Sequence, residues 1–352
     1  MLEDKDHDFT PISRLGEFGL IDRVTKGFRQ NHPSLIKGVG DDAAVYSVNQ
    51  DEVHVVSTDM LVEGVHFDLS YVPLQHLGYK SVVVNLSDIY AMNAEPFGIT
   101  VSLAMSSRFT VEAVEAFYEG VRLACENYGV DLLGGDTSSS RGGLIVSITA
   151  VGRGKRNEIA YRNGAKENDL VVVSGDLGSA FAGLQVLERE KSVFMKNPEV
   201  QPDLSGMDYV VGRQLRPEAK REIVRKLKQM GIKPTSMIDI SDGLGSELMH
   251  ICNQSLVGAT IYETKLMIDP VTVQVGERFE ISPLSMALNG GEDYELLFTV
   301  PLEAYDKMKD WSEVSIIGHI SDRANGVNVV TASGSILEVN SLGFNHFRDG
   351  NS

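Results

Sequence analysis

A long apolar helix that carries a single polar stripe is the feature that most constrains this fold. The stretch Leu77–Asn93 is largely apolar, which indicates a helix buried on most sides. Ser81, Asn85 and Asp88 follow an i, i+4, i+7 spacing and therefore share one face. A buried carboxylate needs a compensating cation or several hydrogen-bond donors. Because no Lys or Arg lies on the stripe, Asp88 predicts a bound metal ion; a stripe that faces solvent is the alternative.

Short strand-like and longer helix-like stretches alternate along the rest of the chain, which predicts an α/β (α+β) fold. The 352 residues exceed what one hydrophobic core usually serves, so two domains are expected. We predict domains at residues 1–155 and 156–352, divided within the polar stretch 152–168. The predicted strands are 53–57, 98–105, 144–151, 169–174 and 294–300, and the predicted helices are 77–93, 110–128, 217–230 and 241–253. The polar segment 188–209 predicts a mobile loop or an ordinary surface insertion.

The charge balance excludes several classes of partner. The chain holds 32 Lys+Arg and 49 Asp+Glu, a net charge of −17, which repels nucleic-acid backbones and anionic membranes. No apolar run approaches the roughly 20 residues that span a bilayer, and the acidic, polar start is unlike a signal peptide. The two cysteines lack metal-ligand spacing and are too few for a disulfide framework. We therefore expect a cytoplasmic protein with neither nucleic-acid nor membrane partners.

Common nucleotide-binding motifs are either absent from the sequence or lie in the wrong predicted structural context. GVGDDA at residues 38–43 mimics a dinucleotide fingerprint, but a strand rather than a helix is predicted to follow it. The chain has no G-x-x-x-x-G-K-[ST] sequence and no protein-kinase signature. A P-loop enzyme and a protein kinase are therefore excluded.

A set of acidic residues in Gly- or Ser-rich turns is the strongest chemical signal. They lie in GDDAA (Asp41, Asp42), STD (Ser57, Thr58, Asp59), VNLSD (Asp88), GGDTSS (Asp136), DISDGL (Asp239, Asp242) and NGGEDYE (Glu292, Asp293). Any one of them alone is typical of a turn residue. Together they offer the oxygen ligands that Mg²⁺ prefers, and STD is predicted at the end of a strand. Mg²⁺ ions held by aspartates would neutralise two phosphate-bearing substrates, which favours phosphoryl transfer.

The order of these motifs resembles the thiamine-monophosphate kinase family. The matching segments are GDDAAV, STDMLVEGVHF, YKSVVVNLSDIYAMNAEP, LLGGDTSS, SGDLGSA, IDISDGLGSELMHI, NGGEDYELLFTV and GFNHF, which run from Gly40 to Phe347. The resemblance implies a two-domain architecture like that of aminoimidazole ribonucleotide synthetase, with an N-terminal domain that forms a homodimer through its β-sheet. It also implies direct in-line transfer of a phosphoryl group from ATP to thiamine phosphate, with several Mg²⁺ ions and no general base.

The resemblance further implies roles for individual residues. The implied magnesium ligands are Asp42, Ser57, Thr58, Asp59, Asp88, Asp136, Asp239 and Asp242, with Asp88, Asp136 and Asp239 bridging metal ions. The implied ATP contacts are Gly135, Asp136, Arg162 and Ser241. The implied contacts to the vitamin substrate are His66, Glu292 and Phe344. Phe344 stands where the family often has Tyr, and QLRPEAK at residues 214–220 stands where the family has HLRPxPR.

Two other functions compete with this interpretation. A sister enzyme of the same superfamily is disfavoured by STDMLVEGVHF and NGGEDYE, which are characteristic of the thiamine branch. Selenophosphate synthetase would need a reactive cysteine in an N-terminal loop, and no cysteine precedes Cys125. A non-catalytic nucleotide or metal sensor would be supported by loss of the carboxylates, yet all the expected ones are present.

Overall fold

The structure, a computed structural model, describes residues 12–339 and contains two β-sheets flanked by helices. Its strands are β1 (Leu35–Lys37), β2 (Ala44–Ser47), β3 (Glu52–Val62), β4 (Glu95–Met105), β5 (Asp131–Ser139), β6 (Ile145–Lys155), β7 (Leu170–Ser174), β8 (Ser236–Asp239), β9 (Gly258–Tyr262), β10 (Leu296–Val300), β11 (Val314–Ser321), β12 (Val327–Val330) and β13 (Ile336–Glu338). Its α-helices are α1 (Gly16–Thr25), α2 (Leu74–Ala91), α3 (Val111–Tyr128), α4 (Ser179–Lys196), α5 (Asp208–Leu215), α6 (Arg221–Gln229), α7 (Leu244–Ser255), α8 (Pro270–Phe279), α9 (Pro283–Asn289) and α10 (Tyr305–Met308). The predicted α/β fold with two domains is confirmed, while the predicted boundary after residue 155 stays a prediction.

The first sheet has six strands in the order β1-β2-β3-β6-β4-β5. Strands β4 and β5 are parallel and the other neighbours are antiparallel. Helix α2 packs on β3, β4 and β6, on α3, and on β8 of the second sheet. The helix is therefore buried on most sides, as its apolar sequence predicts.

The second sheet has seven strands in the order β13-β12-β9-β11-β7-β10-β8, so β8 forms its edge beside α2. Successive side chains of a strand point to opposite faces of the sheet. Val171 and Val173 of β7 accordingly join the core beneath α7. Val172 joins the larger core that also contains Leu86 and Ile89 of α2. This larger core is shared by the two sheets and fixes α2 between them.

Local signals predict the ends of α3 correctly. Thr110 Oγ1 accepts a hydrogen bond of 3.2 Å from the Ala113 N–H, as an N-cap residue does. Gly129 takes the left-handed conformation at φ 70° and ends the helix.

The prediction that Ser57, Thr58 and Asp59 lie at the end of a strand is wrong. Strand β3 continues to Val62, because β6 pairs with every residue from Glu52 onward. The three residues therefore lie in the middle of a strand and alternate between its two faces.

Two further predictions are wrong in their boundaries. The helix expected from Pro217 begins only at Arg221, because the Arg221 N–H donates to the Ala219 carbonyl (2.9 Å) rather than to the Pro217 carbonyl that a helix would use. The segment 188–209 is not one loop, because α4 continues to Lys196 and α5 begins at Asp208. The turn between these helices is tied to α4 by the Asp203 N–H, which donates to Glu190 Oε2 at 2.9 Å.

Candidate active site

A cavity of about 650 Å³ opens between α2 and the loops of the second sheet. Most of the site residues predicted from the sequence line it: Asp42, Ser57, Thr58, Asp59, His66, Asp88, Arg162, Asp239, Ser241, Asp242 and Glu292. Gly135 and Asp136 do not line it, and Phe344 lies outside the described residues. The fold thus gathers into one place residues that are far apart in the sequence.

Three carboxylates converge at the bottom of this cavity. Asp42 precedes β2, Asp88 lies on α2 and Asp239 ends β8, and each contributes one oxygen to a group in which all three lie within 4.8 Å of one another. Carboxylates this close repel each other strongly away from bulk water. The first two come from the first domain and the third from the second, so a bound cation would join the two halves.

Hydrogen bonds orient each of these carboxylates. The Ser57 hydroxyl donates to Asp88 Oδ2, and the Ser87 hydroxyl donates to Asp239 Oδ2 at 2.6 Å. Arg162 donates to Asp42 Oδ1 from Nη2 at 2.6 Å and from Nε at 3.1 Å. The other oxygen of Asp42 is buried and has no hydrogen-bond partner between residues 12 and 339. An orphaned carboxylate oxygen beside two further carboxylates is the donor set of a hard cation such as Mg²⁺.

The protonation behaviour of the cluster reflects its crowding. Burial, with repulsion from Asp239 and Asp41, raises the pKa of Asp42 to about 7 even though Arg162 opposes the shift. Burial and Asp42 raise the pKa of Asp59 to about 6. Burial and the neighbouring aspartates also raise the pKa of Asp88 well above its usual range. Without a cation, the ionised form of every one of these groups is therefore disfavoured.

Strand alternation separates the three residues of the STD segment. Ser57 and Asp59 face α2, where the Asp59 N–H donates to Asn85 Oδ1 at 3.0 Å. The Thr58 side chain points to the other face of the sheet, where its hydroxyl donates to the Ile148 carbonyl at 3.1 Å. Of the three side chains, those of Ser57 and Asp59 thus lie on the same side of the sheet as Asp88 on α2, and the hydroxyl of Thr58 does not.

The loop that carries Glu292 has an unusual backbone. Glu292 has φ 58°, and its N–H donates to the Ser241 carbonyl at 2.6 Å. Gly291 has φ 69°, and a Cβ there would lie 2.6 Å from the same Ser241 carbonyl oxygen. The glycine permits this close approach, which holds Glu292 beside the segment of Ser241 and Asp242.

Gly135 and Asp136 lie on β5, the outer strand of the first sheet, where every residue of the strand is exposed. Gly135 pairs with Val101 of β4, and a Cβ at Gly135 would lie 1.8 Å from the Val101 carbonyl oxygen. The Asp136 side chain is thus presented to solvent, away from the cavity of its own chain.

Comparison with known proteins agrees with this geometry. Residues 40–154 match the family described as AIR synthase related protein, N-terminal domain, and residues 166–330 match the corresponding C-terminal domain. The chain is 34% identical to thiamine-monophosphate kinase of Bacillus subtilis, over 95% of this chain and 100% of that protein. The chain belongs to the thiamine-monophosphate kinase family.

Further members of this family extend the match. The thiamine-monophosphate kinase of Aquifex aeolicus is 36% identical over 86% of this chain and 92% of that protein. A solved structure described as AaThiL complexed with AMPPCP and TMP superposes with a TM-score of 0.82, at 33% identity over 97% of this chain and 100% of that chain. The resemblance inferred from the motifs is confirmed, and the chain is a kinase.

Several cavity residues of this thiamine-monophosphate kinase family member were missed in the sequence. Glu247 of α7 is buried and accepts a hydrogen bond of 3.0 Å from the Asp242 N–H. His250, one turn further on, packs edge to face on Phe18 of α1 at 4.6 Å, and burial lowers its pKa to about 4. Their i, i+3 spacing in SELMHI was the available signal, but helical periodicity does not tell which face of α7 meets the cavity.

The remaining expectations concern location and partners. No helix within residues 12–339 is both long and apolar enough to cross a membrane. The cytoplasmic location and the lack of nucleic-acid partners stay predictions. His66, predicted to touch the substrate, accepts a hydrogen bond at Nδ1 from the Val62 N–H (3.0 Å), which fixes its ring at the cavity wall.

Proposed function

We propose that this protein transfers the terminal phosphoryl group of ATP directly to thiamine phosphate, giving thiamine diphosphate and ADP. The observation that carries the proposal is the convergence of Asp42, Asp88 and Asp239 from two domains in one cavity. A relative of 33% identity that binds AMPPCP, an ATP analogue, together with TMP supports both substrates.

The donor set suits Mg²⁺, with several ions expected. Bound Mg²⁺ would supply charge neutralisation for the two phosphate groups. The residues that would hold it are the carboxylates of Asp42, Asp59, Asp88, Asp239 and Asp242, with the hydroxyl of Ser57 as an additional oxygen. The phosphate of the acceptor is already an anion near pH 7, so the reaction needs no general base.

The remaining side chains divide between the two substrates. Arg162 and Ser241 lie near the carboxylates and are proposed to contact ATP, since a guanidinium can bind phosphate in a bidentate way. His66 and Glu292 are proposed to contact the vitamin, because a carboxylate suits its aminopyrimidine and its cationic ring. Asp42 already holds Arg162, so the same guanidinium would lie beside both the metal ligands and the nucleotide.

A homodimer formed through the first sheet is part of this proposal. Met60, on the sheet face opposite α2, is 56% exposed, and Leu132 and Leu133 of the outer strand β5 are 51% and 53% exposed. Exposed apolar side chains beside an outer strand favour pairing with a second copy. In such a dimer Asp136 could reach the cavity of the partner, which would reconcile its predicted role with its position outside the cavity of its own chain.

A coupled assay of ADP release tests the reaction. Thiamine phosphate, thiamine and aminoimidazole precursors are offered as separate acceptors with ATP and Mg²⁺. We expect ADP release above background when thiamine phosphate is the acceptor, and none above background with either of the other acceptors. Release with an aminoimidazole precursor would assign the chain to a sister activity, and no release with any acceptor would favour a binding protein.

The variant Glu292→Gln tests the assignment of the vitamin side. The neutral amide keeps the shape of the side chain but loses the charge that attracts a cation, so we expect KM for thiamine phosphate to rise about tenfold. KM for ATP should change less than about twofold, because no nucleotide role is assigned to Glu292. Initial rates with each substrate varied in turn provide the measurement, and equal rises in both constants would contradict the assignment.

A further inference from the structure

Lys80 is a buried cation directly behind the cavity wall. It lies on α2, is 4% exposed, and is absent from the cavity lining. Its Nζ is 2.8 Å from Glu292 Oε1 and donates to the Gln214 carbonyl at 3.0 Å. A lysine is almost never buried this deeply unless its charge is paired. Its partner here is a residue of the other domain that faces the cavity.

Gln214 holds the second oxygen of the same carboxylate. This residue lies on α5, is 5% exposed, and its Nε2 donates to Glu292 Oε2 at 2.6 Å. Each oxygen of Glu292 therefore has one side-chain donor within the described part of the chain, Lys80 for Oε1 and Gln214 for Oε2. Because a carboxylate oxygen accepts two hydrogen bonds, each keeps a lone pair for a ligand.

The backbone of Glu292 is fixed as firmly as its side chain. The left-handed conformation and the hydrogen bond to Ser241 set the origin of the side chain, while Lys80 and Gln214 set its end. The Glu292 side chain remains 26% exposed, so its free face is open to the cavity. Such restraint from both ends favours recognition of a ligand, because little conformational freedom is left to lose on binding.

We infer that Lys80 and Gln214 are positioning residues that fix the Glu292 carboxylate as an acceptor for the N–H groups of a cationic, nitrogen-rich phosphate acceptor. This inference rests on the proposed function and adds two residues to its vitamin side. Lys80 also offsets one negative charge in a cavity that already holds several aspartates. Glu292 is thereby kept as a partner for the organic substrate rather than as one more ligand for Mg²⁺.

The variants Lys80→Met and Lys80→Arg test this in the full-length enzyme. Met keeps the length of the side chain without its charge, so we expect KM for thiamine phosphate to rise about tenfold and KM for ATP to change less than about twofold. KM for thiamine phosphate should rise less in Lys80→Arg than in Lys80→Met, because Arg can still donate a hydrogen bond to Glu292. Lys228→Met is the matched control: it breaks another Lys–Glu pair between the domains, with Glu95 at 3.3 Å, away from this cavity.

A double-mutant cycle separates positioning from a general structural effect. If Lys80 acts through Glu292, then Lys80→Met will add no further rise in KM when Glu292 is already Gln. A further tenfold rise in that background, or equal rises in both KM values, would overturn the inference. Should Lys80→Met fail to fold, Gln214→Leu provides the same test. It removes the Nε2 donor to Glu292 but keeps the backbone carbonyl of residue 214, to which Lys80 donates.

The outcomes also distinguish this inference from the function on which it rests. A wild-type protein that releases no ADP with thiamine phosphate overturns the proposed function, and the inference with it. If the wild type is active, and KM for thiamine phosphate rises in the Glu292→Gln variant but not in the Lys80→Met or Gln214→Leu variant, only the positioning role is overturned.

Discussion

Replacement of Asp88 by Asn is expected to lower kcat by about a thousandfold at saturating Mg²⁺ while the protein still folds. Asp88 lies on a buried helix between the two sheets and shares its charge cluster with Asp42 and Asp239. The amide preserves the shape of the side chain and can still accept from the Ser57 hydroxyl. The loss therefore falls on the negative charge that would bind the metal ion.

The same substitution is expected to stabilise the metal-free protein. A carboxyl group whose pKa is raised by folding binds its proton more tightly in the folded state, so stability falls as pH rises from the unfolded pKa toward the folded one. Asn does not titrate, so the advantage of Asp88→Asn should be absent near pH 3 and grow toward neutral pH. We expect the unfolding temperature in EDTA at pH 7.5 to rise by roughly 2 °C or more.

Thermal unfolding with EDTA and with excess Mg²⁺, together with turnover, measures both effects. Asp306→Asn, on the exposed helix α10, serves as the matched control and should leave both quantities unchanged. Near wild-type turnover of Asp88→Asn at saturating Mg²⁺ would contradict the metal role. A lower unfolding temperature in EDTA would contradict the account of charge repulsion.

Mixing two inactive variants is expected to restore activity. If Asp136 acts in the cavity of a partner subunit, a heterodimer of Asp88→Asn with Asp136→Asn holds one doubly altered site and one intact site. Random exchange of subunits would then give about a quarter of the wild-type activity, since half of the dimers are mixed and half of their sites are intact. Each variant alone should remain inactive.

Heterodimers are best isolated by co-expression with two different affinity tags. A heterodimer with no activity would place Asp136 in the site of its own chain, and an active Asp136→Asn variant on its own would place it outside the reaction. Failure to isolate any heterodimer would overturn the proposed dimer. The matched control pairs Asp88→Asn with Asp239→Asn, since both residues line the cavity of one chain. We expect no activity from that heterodimer, because every site contains one defective ligand.

Local patterns in the sequence predicted those parts of the fold that depend on neighbouring residues. The apolar content of α2 and the Thr110 cap concern interactions within one or two turns, and the structure confirms both. The length of β3 was not predictable in this way. It is set by β6, which lies nearly a hundred residues further along the chain. Ser57 was therefore predicted at the end of a strand, whereas the structure has it in the middle of β3.

In the candidate site, too, only the residues marked by a local pattern could be predicted from the sequence without the family resemblance. Asp88 could be singled out from helical spacing and burial alone, whereas the assignments of Arg162 and Glu292 needed the family resemblance. Lys80 was visible only as one polar residue in an apolar helix, because its partner Glu292 is brought near by the packing of the two domains. Contacts of this kind arise from tertiary structure, and no periodicity in the sequence predicts them.

The origin of the carboxylate cluster in both domains has a consequence for inheritance. Neither half carries the complete set of charges, so neither half can form the site without the other. A substitution that removes the charge of Asp239 would alter the charge balance around Asp42 and Asp88, which belong to the other half. Descent should therefore preserve the two halves as a single unit, with correlated substitutions concentrated along the surface where they meet.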